Sequence, residues 1–446
     1  MNRSRPTRHL SLLPLLVALG TGFAGVAQAQ SLVELFNAAK GYDASYQSAK
    51  SQAEATLAKG EQARAGVLPT VGLGAGVNQT SQDSSLSSLN GKSFGSQSAT
   101  LSASHPLYRP GNWASYEQGK KSVEVARFQL LAAEQDLIVR TSQAYFDVLA
   151  ATDSLTFVRS QKAAVAEQLA SAKRNFEVGT STIVDTRDAQ ARYDLTVAQE
   201  LAAENDLRVK SLALDQLVGK SNTAPKPLQA PVLLGDVQPA DVNQWVQQSE
   251  ALNPAIKQTE IALEVAKLET QKAESSQKPT LDLNGSYNVA NNNGNSQTST
   301  SYTTNVASVG LSFNLPLFSG YSIQNRIKET LALEDKARSD LDAAKRSVAQ
   351  GTRTAFFGLQ SGLSQVKAYE AAEASTQSAL DANKLGYQVG VKINIDVLNA
   401  QSQLYSTKAS LAKARYDVLV GGLKLRQATG VLKEEDLQPI NAQLAP

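Results

Sequence analysis

One acid-bearing motif occurs twice in this 446-residue chain, as FEVGTSTIVDTRDAQARYD from Phe176 and YQVGVKINIDVLNAQSQLY from Tyr387, about 210 residues apart. Gly179 and Gly390 hold the same place in the two copies, as do Asp185 and Asp396. Glycine there permits a tight turn, and aspartate soon after a turn is a preferred cap for the helix that restarts. The chemistry open to these residues is hydrogen bonding and ion pairing. Covalent chemistry lacks its parts: cysteine is absent, and histidine occurs only at His9 and His105. That nearly excludes a Ser-His-Asp triad or a histidine-rich metal site. There is no phosphate-cradling GxxxxGKS/T motif, so any energy must come from a partner. No catalytic residue, metal ligand or cofactor is expected.

Two tips so far apart need a repeated framework, and other segments keep nearly the same register. LPTVGLGAGVN from Leu68 matches KPTLDLNGSYN from Lys278, and LSASHPLY from Leu101 matches LSFNLPLF from Leu311. From Pro69, Val71, Leu73, Ala75 and Val77 alternate with glycine and polar residues; from Pro279, Leu281, Leu283, Tyr287 and Val289 do the same. Each alternation predicts a strand of about 9–11 residues, the length of a tilted outer-membrane strand, with a partner alternating through Leu101 or Leu311. Each half thus contains a hairpin whose loop is rich in Ser, Asn and Gly, around Asn90 and Asn293. Tyr108, Trp113, Phe318 and Tyr321 stand where the second strands end, suited to an interfacial girdle or to ordinary strand-end packing.

A modest helix precedes each hairpin, over Tyr42 to Ala65 and Asn253 to Ser276. A very long one follows, over Gly111 to Phe176 and Gly320 to Tyr387. At 1.5 Å per residue the long helices reach about 100 Å. Heptads run through both: Leu130, Leu137, Ala144, Ala151 and Val158 in the first, Leu341, Val348, Ala355, Gly362 and Tyr369 in the second. The last return helix repeats the period with Val397, Leu404, Leu411, Val418 and Leu425, a coiled-coil seam.

The N-terminus carries Arg3, Arg5 and Arg8, an apolar run from Leu10 to Val26, and Ala27-Gln28-Ala29, the pattern of a secretory signal cleaved after Ala29. Its removal takes the formal charge from +2 to −1, so nucleic acid is not an expected partner. The expected organisation is a signal peptide over 1–29, a first repeat over 30–220, a Pro-rich linker over 221–240, a second repeat over 241–432 and a tail over 433–446. The hairpins fall at 68–109 and 279–318, and the long helices at 111–176 and 320–387. No later stretch has the ~20 apolar residues of a membrane helix, so a mature chain that spans a membrane does so with strands. Four strands cannot close a barrel, and open edges are costly in lipid, so neighbouring copies must supply the rest. Two copies give eight strands and three give twelve; a duct favours the larger number.

Taken in order, the LP-T strand start at Leu68, its counterpart at Lys278-Pro279, the QAYFDVLAA run at Gln143, the HPLY and LPLF strand ends and the two VGxxxxxD tips resemble the TolC family of outer-membrane exit ducts. The likeness covers essentially the whole mature chain. It implies a mixed α+β membrane protein: four β-strands per protomer contribute to a shared trimeric 12-stranded β-barrel in outer-membrane lipid, continued by a long α-helical coiled-coil barrel through the periplasm. It also implies a passive duct for efflux or type I secretion, joined to a periplasmic adaptor and energised by an inner-membrane transporter of ABC or RND type. In that family the tips form the periplasmic entrance, so the resemblance assigns gate roles to Asp185, Tyr387, Lys392, Asp396 and Asn399. Many members carry arginine where Lys392 stands and aspartate where Asn399 stands, which weakens any bidentate lock or double acidic ring here. Lys392 becomes the expected counter-charge to Asp185 and Asp396. A trimeric outer-membrane structural protein or adhesin would share the coiled coils and barrel but needs an external passenger region. A hydrolase would need the missing histidines.

Overall fold

Caps and prolines set the helix boundaries of the computed structural model, which describes residues 29–445 except 84, 86–90, 230, 233, 296, 297 and 299. The expected signal segment before Ala29, and Asn90, lie outside the described residues. Helix α1 (Leu32–Tyr42) opens with a reciprocal box between Ser31 and Glu34. Asp43 then caps α2 (Ala44–Arg64) by accepting from the Tyr46 N–H at 2.8 Å. A short 3-10 turn leads to strand β1 (Thr70–Gln82), which pairs antiparallel with β2 (Lys92–Tyr108). Pro110 opens α3 (Pro110–Glu177), whose 68 residues span about 100 Å. The return helix is α4 (Ile183–Val218).

The second half repeats this order with α5 (Val242–Leu252), α6 (Pro254–Ser275), β3 (Thr280–Asn293), β4 (Ser301–Asn314), α7 (Ser322–Gln388) and α8 (Asn394–Thr429). A short α9 (Gln438–Asn441) follows. Among the described residues no helix is long and apolar enough to cross a membrane.

The strands are longer than the alternation predicts, at 13, 17, 14 and 14 residues. Pairing continues into the polar loops because their amides and hydroxyls bond across strands. Gln79 Nε2 donates to Ser93 Oγ at 2.7 Å, and Ser301 Oγ to Asn293 Oδ1 at 2.8 Å. The two hairpins also join through β2 and β3 into one four-stranded sheet of order β1-β2-β3-β4, with a register shift between Pro106 and Tyr108.

Register places Leu73, Leu101, Tyr287 and Ala307 in one row and Gly72, Ser102, Ser286 and Ser308 in the next. One face is therefore apolar and the other hydroxyl- and amide-rich. The polar face carries cross-strand bonds from Ser104 to Asn284 (2.8 Å), from Asn284 to Ser312 (2.9 Å) and from Asn288 to Thr100 (2.6 Å). At the foot of the sheet Arg109 grips Asp282 with two hydrogen bonds, of 2.7 and 2.6 Å.

The helices keep the lateral order of the strands. α3 packs between α2 and α6, and α6 packs against α7; lower down, α3 packs between α4 and α8, and α8 against α7. One flank of the protomer is thus β1, α2 and α4, and the other is β4 and α7. α2 crosses close on α3, where a Cβ on Gly119 would stand 2.6 Å from Ala63 Cβ. The main core gathers Leu32, Phe36, Ile138, Tyr145, Phe146, Leu214, Tyr416 and Leu432 around the middle of α3. Part of the Pro-rich segment packs there too, where Tyr145 donates to the Lys226 carbonyl at 2.8 Å; its end accepts at the Pro239 carbonyl from Trp245 of α5 (2.8 Å), in a separate cluster with Phe356 and Leu425.

Two seam expectations fare differently. Val397, Leu404, Leu411, Val418 and Leu425 of α8 are all buried. In α7 the buried positions include Ala349, Phe356 and Leu363, one residue beyond the expected heptad, together with Thr330, Thr352, Val366 and Leu380, while the expected members are only half-buried. The shift follows the neighbours of α7: Phe356 clusters with Trp245 of α5 and Leu425 of α8, and Leu363 with Leu411 and Val418 of α8.

Candidate functional site at the helical tips

Both tips use the same backbone turn. In the first, Thr180 and Ser181 N–H groups donate to the Asn175 carbonyl at 2.8 and 3.2 Å; in the second, Val391 and Lys392 donate to the Gly386 carbonyl at 2.9 and 3.0 Å. Gly179 (φ +80°) and Gly390 (φ +78°) provide the left-handed residue this turn requires. A Cβ on Gly386 would stand 2.8 Å from Lys392 Cγ, so the lysine stem lies across a bare stretch of α7.

Neither aspartate is the N-cap residue; each lies three residues further on, inside the first helical turn. Thr182 caps α4, and Asp185 completes the box, accepting from the Thr182 N–H (3.1 Å), the Thr182 hydroxyl (2.8 Å) and the Ser181 hydroxyl (2.7 Å). Burial opposes ionisation of Asp185, but these donors outweigh it and hold the carboxyl below its ordinary pKa. Among the described residues of this protomer Asp185 makes no ion pair. Lys392 instead lies 3.6 Å from Asp396, with both side chains partly exposed. Ile393 at the cap of α8 has no side-chain acceptor, which leaves Asp396 as the acidic group facing that helix N-terminus.

The other two candidates tie one hairpin to the other. Asn175 Nδ2 donates to Tyr387 Oη at 3.3 Å, and the Arg192 guanidinium donates to Asn399 Oδ1 at 2.7 Å. Sequence inspection missed Asn175 and Arg192. A signal for Arg192 existed: it lies seven residues after Asp185, on nearly the same face of α4. Behind these contacts a small apolar cluster of Val165, Leu169, Ala172, Ala189 and Leu398 joins α3, α4 and α8. The tips themselves are apolar and open, with Val178, Val184, Val389 and Val391 all exposed.

The arrangement can hold, release and shape, and it contains no grouping for covalent chemistry. Among the described residues no cluster of His, Cys, Asp or Glu could hold a metal ion. A two-faced sheet above long paired helices is the wall of a membrane channel. The pattern of the Outer membrane efflux protein family matches residues 35–220 and again 245–431, and the chain belongs to that family. The Outer membrane protein TolC of Vibrio cholerae serotype O1 is 34% identical over 438 residues, covering 97% of this chain and 98% of the relative. The Alkaline protease secretion protein AprF of Pseudomonas aeruginosa is 30% identical over 357 residues, or 79% of this chain and 73% of its own length. The crystal structure of the outer membrane protein VceC from Vibrio cholerae shares the fold, with a TM-score of 0.76 over 90% of this chain and 96% of that one at 17% identity. This chain is an outer-membrane exit duct for efflux or type I secretion, reaching into the periplasm, in a family of channels rather than of enzymes.

Proposed function

We propose that three copies close a twelve-stranded barrel in the outer membrane and continue it as a helical tunnel whose periplasmic entrance is the ring of tips. The supporting observation is the shared lateral order of strands and helices. Among the described residues β1 and β4 both lack an outer partner, and the helices below them, α2 with α4 on one side and α7 on the other, expose apolar residues such as Leu57, Leu201, Leu212, Leu331 and Phe357. Unpaired strand edges cost several kcal/mol per group in lipid, and a head-to-tail ring satisfies strands and helices at once. The polar sheet face then lines the duct and the apolar face meets lipid.

The duct is passive, so a periplasmic adaptor and an inner-membrane transporter, of ABC or RND type, supply cargo and energy. In the resting state the entrance is held by the Lys392–Asp396 pair and the Asn175–Tyr387 bond, with Asp185 fixing the shape of the first tip. Purified protein in mild detergent should run as a heat-modifiable trimer and form discrete channels in planar bilayers. A monodisperse monomer that keeps its full β-content would reject the shared barrel.

A further inference from the structure

Four side-chain hydrogen bonds among the described residues join the α3–α4 hairpin to the α7–α8 hairpin. Gln143–Lys424 and Asp153–Tyr416 lie at the level of the main core, and only Asn175–Tyr387 and Arg192–Asn399 lie near the tips. Of the lower two, the Arg192 contact is the shorter and involves an ion, at 2.7 Å against 3.3 Å. Charge-assisted bonds are about twice as strong as neutral ones. Arg192 makes no ion pair among the described residues; its neutral partner leaves the guanidinium charge uncompensated. The carbonyl of Asn399 is held one turn beyond Lys392–Asp396, on the same helix, so a pull on Asn399 is a pull on the start of α8.

We propose that Arg192 is a positioning residue of the closed entrance: through Asn399 it draws the beginning of α8 onto α4 and so places Lys392, Asp396 and Tyr387. This rests on the reading that the tips form the entrance. Because the acceptor is an amide, the tie has intermediate strength and can be moved either way. Asn399→Asp keeps the shape and turns the contact into an ion pair that guanidinium can engage with two bonds. Arg192→Gln keeps a donor but removes the charge.

The test is single-channel recording of the full-length protein at low and moderate salt, with Lys392→Ala alongside as a probe of the entrance itself. Arg192→Gln should raise the open fraction by about two- to fivefold per tie released, the range of an exposed contact, and Asn399→Asp should lower it by a similar factor, more at low salt than at moderate salt. Trimer yield and thermal midpoint should match the parent, since a merely structural role would move those and not the salt dependence. If Lys392→Ala opens the channel while both seam variants behave as the parent at each salt concentration, Arg192 is a surface residue and the proposal fails with the entrance intact. If Asn399→Asp opens the channel, the proposal fails as well. If none of the three variants alters the open fraction, the tips are not the entrance, and both readings fall.

Discussion

Asp185 and Lys392 occupy comparable places on paper but act on different things. Asp185 is bound within its own turn, so its removal should loosen the first tip by about 1 kcal/mol, the worth of a cap, and do so similarly at low and moderate salt. Amide exchange at Thr182 to Thr186 would show it, and unchanged protection would refute it. Because the folded-state pKa is lowered, this contribution is present above the ordinary carboxylate range and is lost as pH falls through the depressed value. Lys392→Ala, by contrast, should act on an exposed pair worth ~0.2–1 kcal/mol that salt weakens. Combined with Asp185→Ala it should raise conductance and sensitise cells to large antibiotics while trimer yield is unchanged. The repeated glycines and acids were legible because a turn needs Gly and a helix start favours an acid. Which acid meets which base was not, since Lys392 had both Asp185 and Asp396 as candidates, and within the protomer it lies beside the local one. Asn175 and Arg192 were hidden for another reason: each finds its partner more than 200 residues away.

Between elements, the contact of α3 with α8 holds a half-buried acid. Asp153 accepts from the Tyr416 phenol at 2.6 Å, and the Tyr416 ring stacks on Phe146 at 5.5 Å between centroids. Burial pushes the Asp153 carboxyl up, against the smaller pull of the Tyr416 hydrogen bond. A raised value means that the packed state holds the proton more tightly. The stability it contributes is therefore complete below the ordinary Asp pKa and is lost as pH rises through the raised one. Asp153→Asn keeps a neutral partner for Tyr416 at every pH and should flatten the pH dependence of the thermal midpoint; the parent slope retained in that variant would dismiss the idea. Tyr416→Phe leaves the half-buried acid without its donor and should cost about 1 kcal/mol. Higher up, Gly119→Val should disrupt the α2–α3 crossing by ~1–3 kcal/mol, because even a methyl there meets Ala63. Helix lengths and the α8 seam could be read from spacing alone. The α7 seam could not, because a heptad gives a period and the neighbours choose which face it buries.

For the whole molecule, the repeat and the two hairpins followed from pattern, whereas the joining of the hairpins into one sheet did not. Alternation reports that a strand has two faces but not which edge meets which. The proposed topology predicts opposite accessibility for the two ends of a protomer in this cysteine-free chain. A single cysteine at Asn293 should react with an impermeant maleimide on intact cells, and one at Gly179 should not. Equal labelling at both positions would overturn the orientation.

The pairing of β2 with β3 also imposes an order in time. β2 ends at Tyr108 and its second partner begins only at Thr280, so while the first half of the chain is being delivered, one edge of β2 has nothing to bond with. Water can satisfy that edge and lipid cannot. On that account the first hairpin waits in solution at least until about 170 further residues have arrived, and a contact so distant in sequence is slow to form. Gly72, Gly74 and Gly76 in β1 and the serines of β2 make the waiting hairpin wettable, so the strand composition that suits the lumen of the proposed duct would also keep an unassembled chain from aggregating before it reaches the membrane.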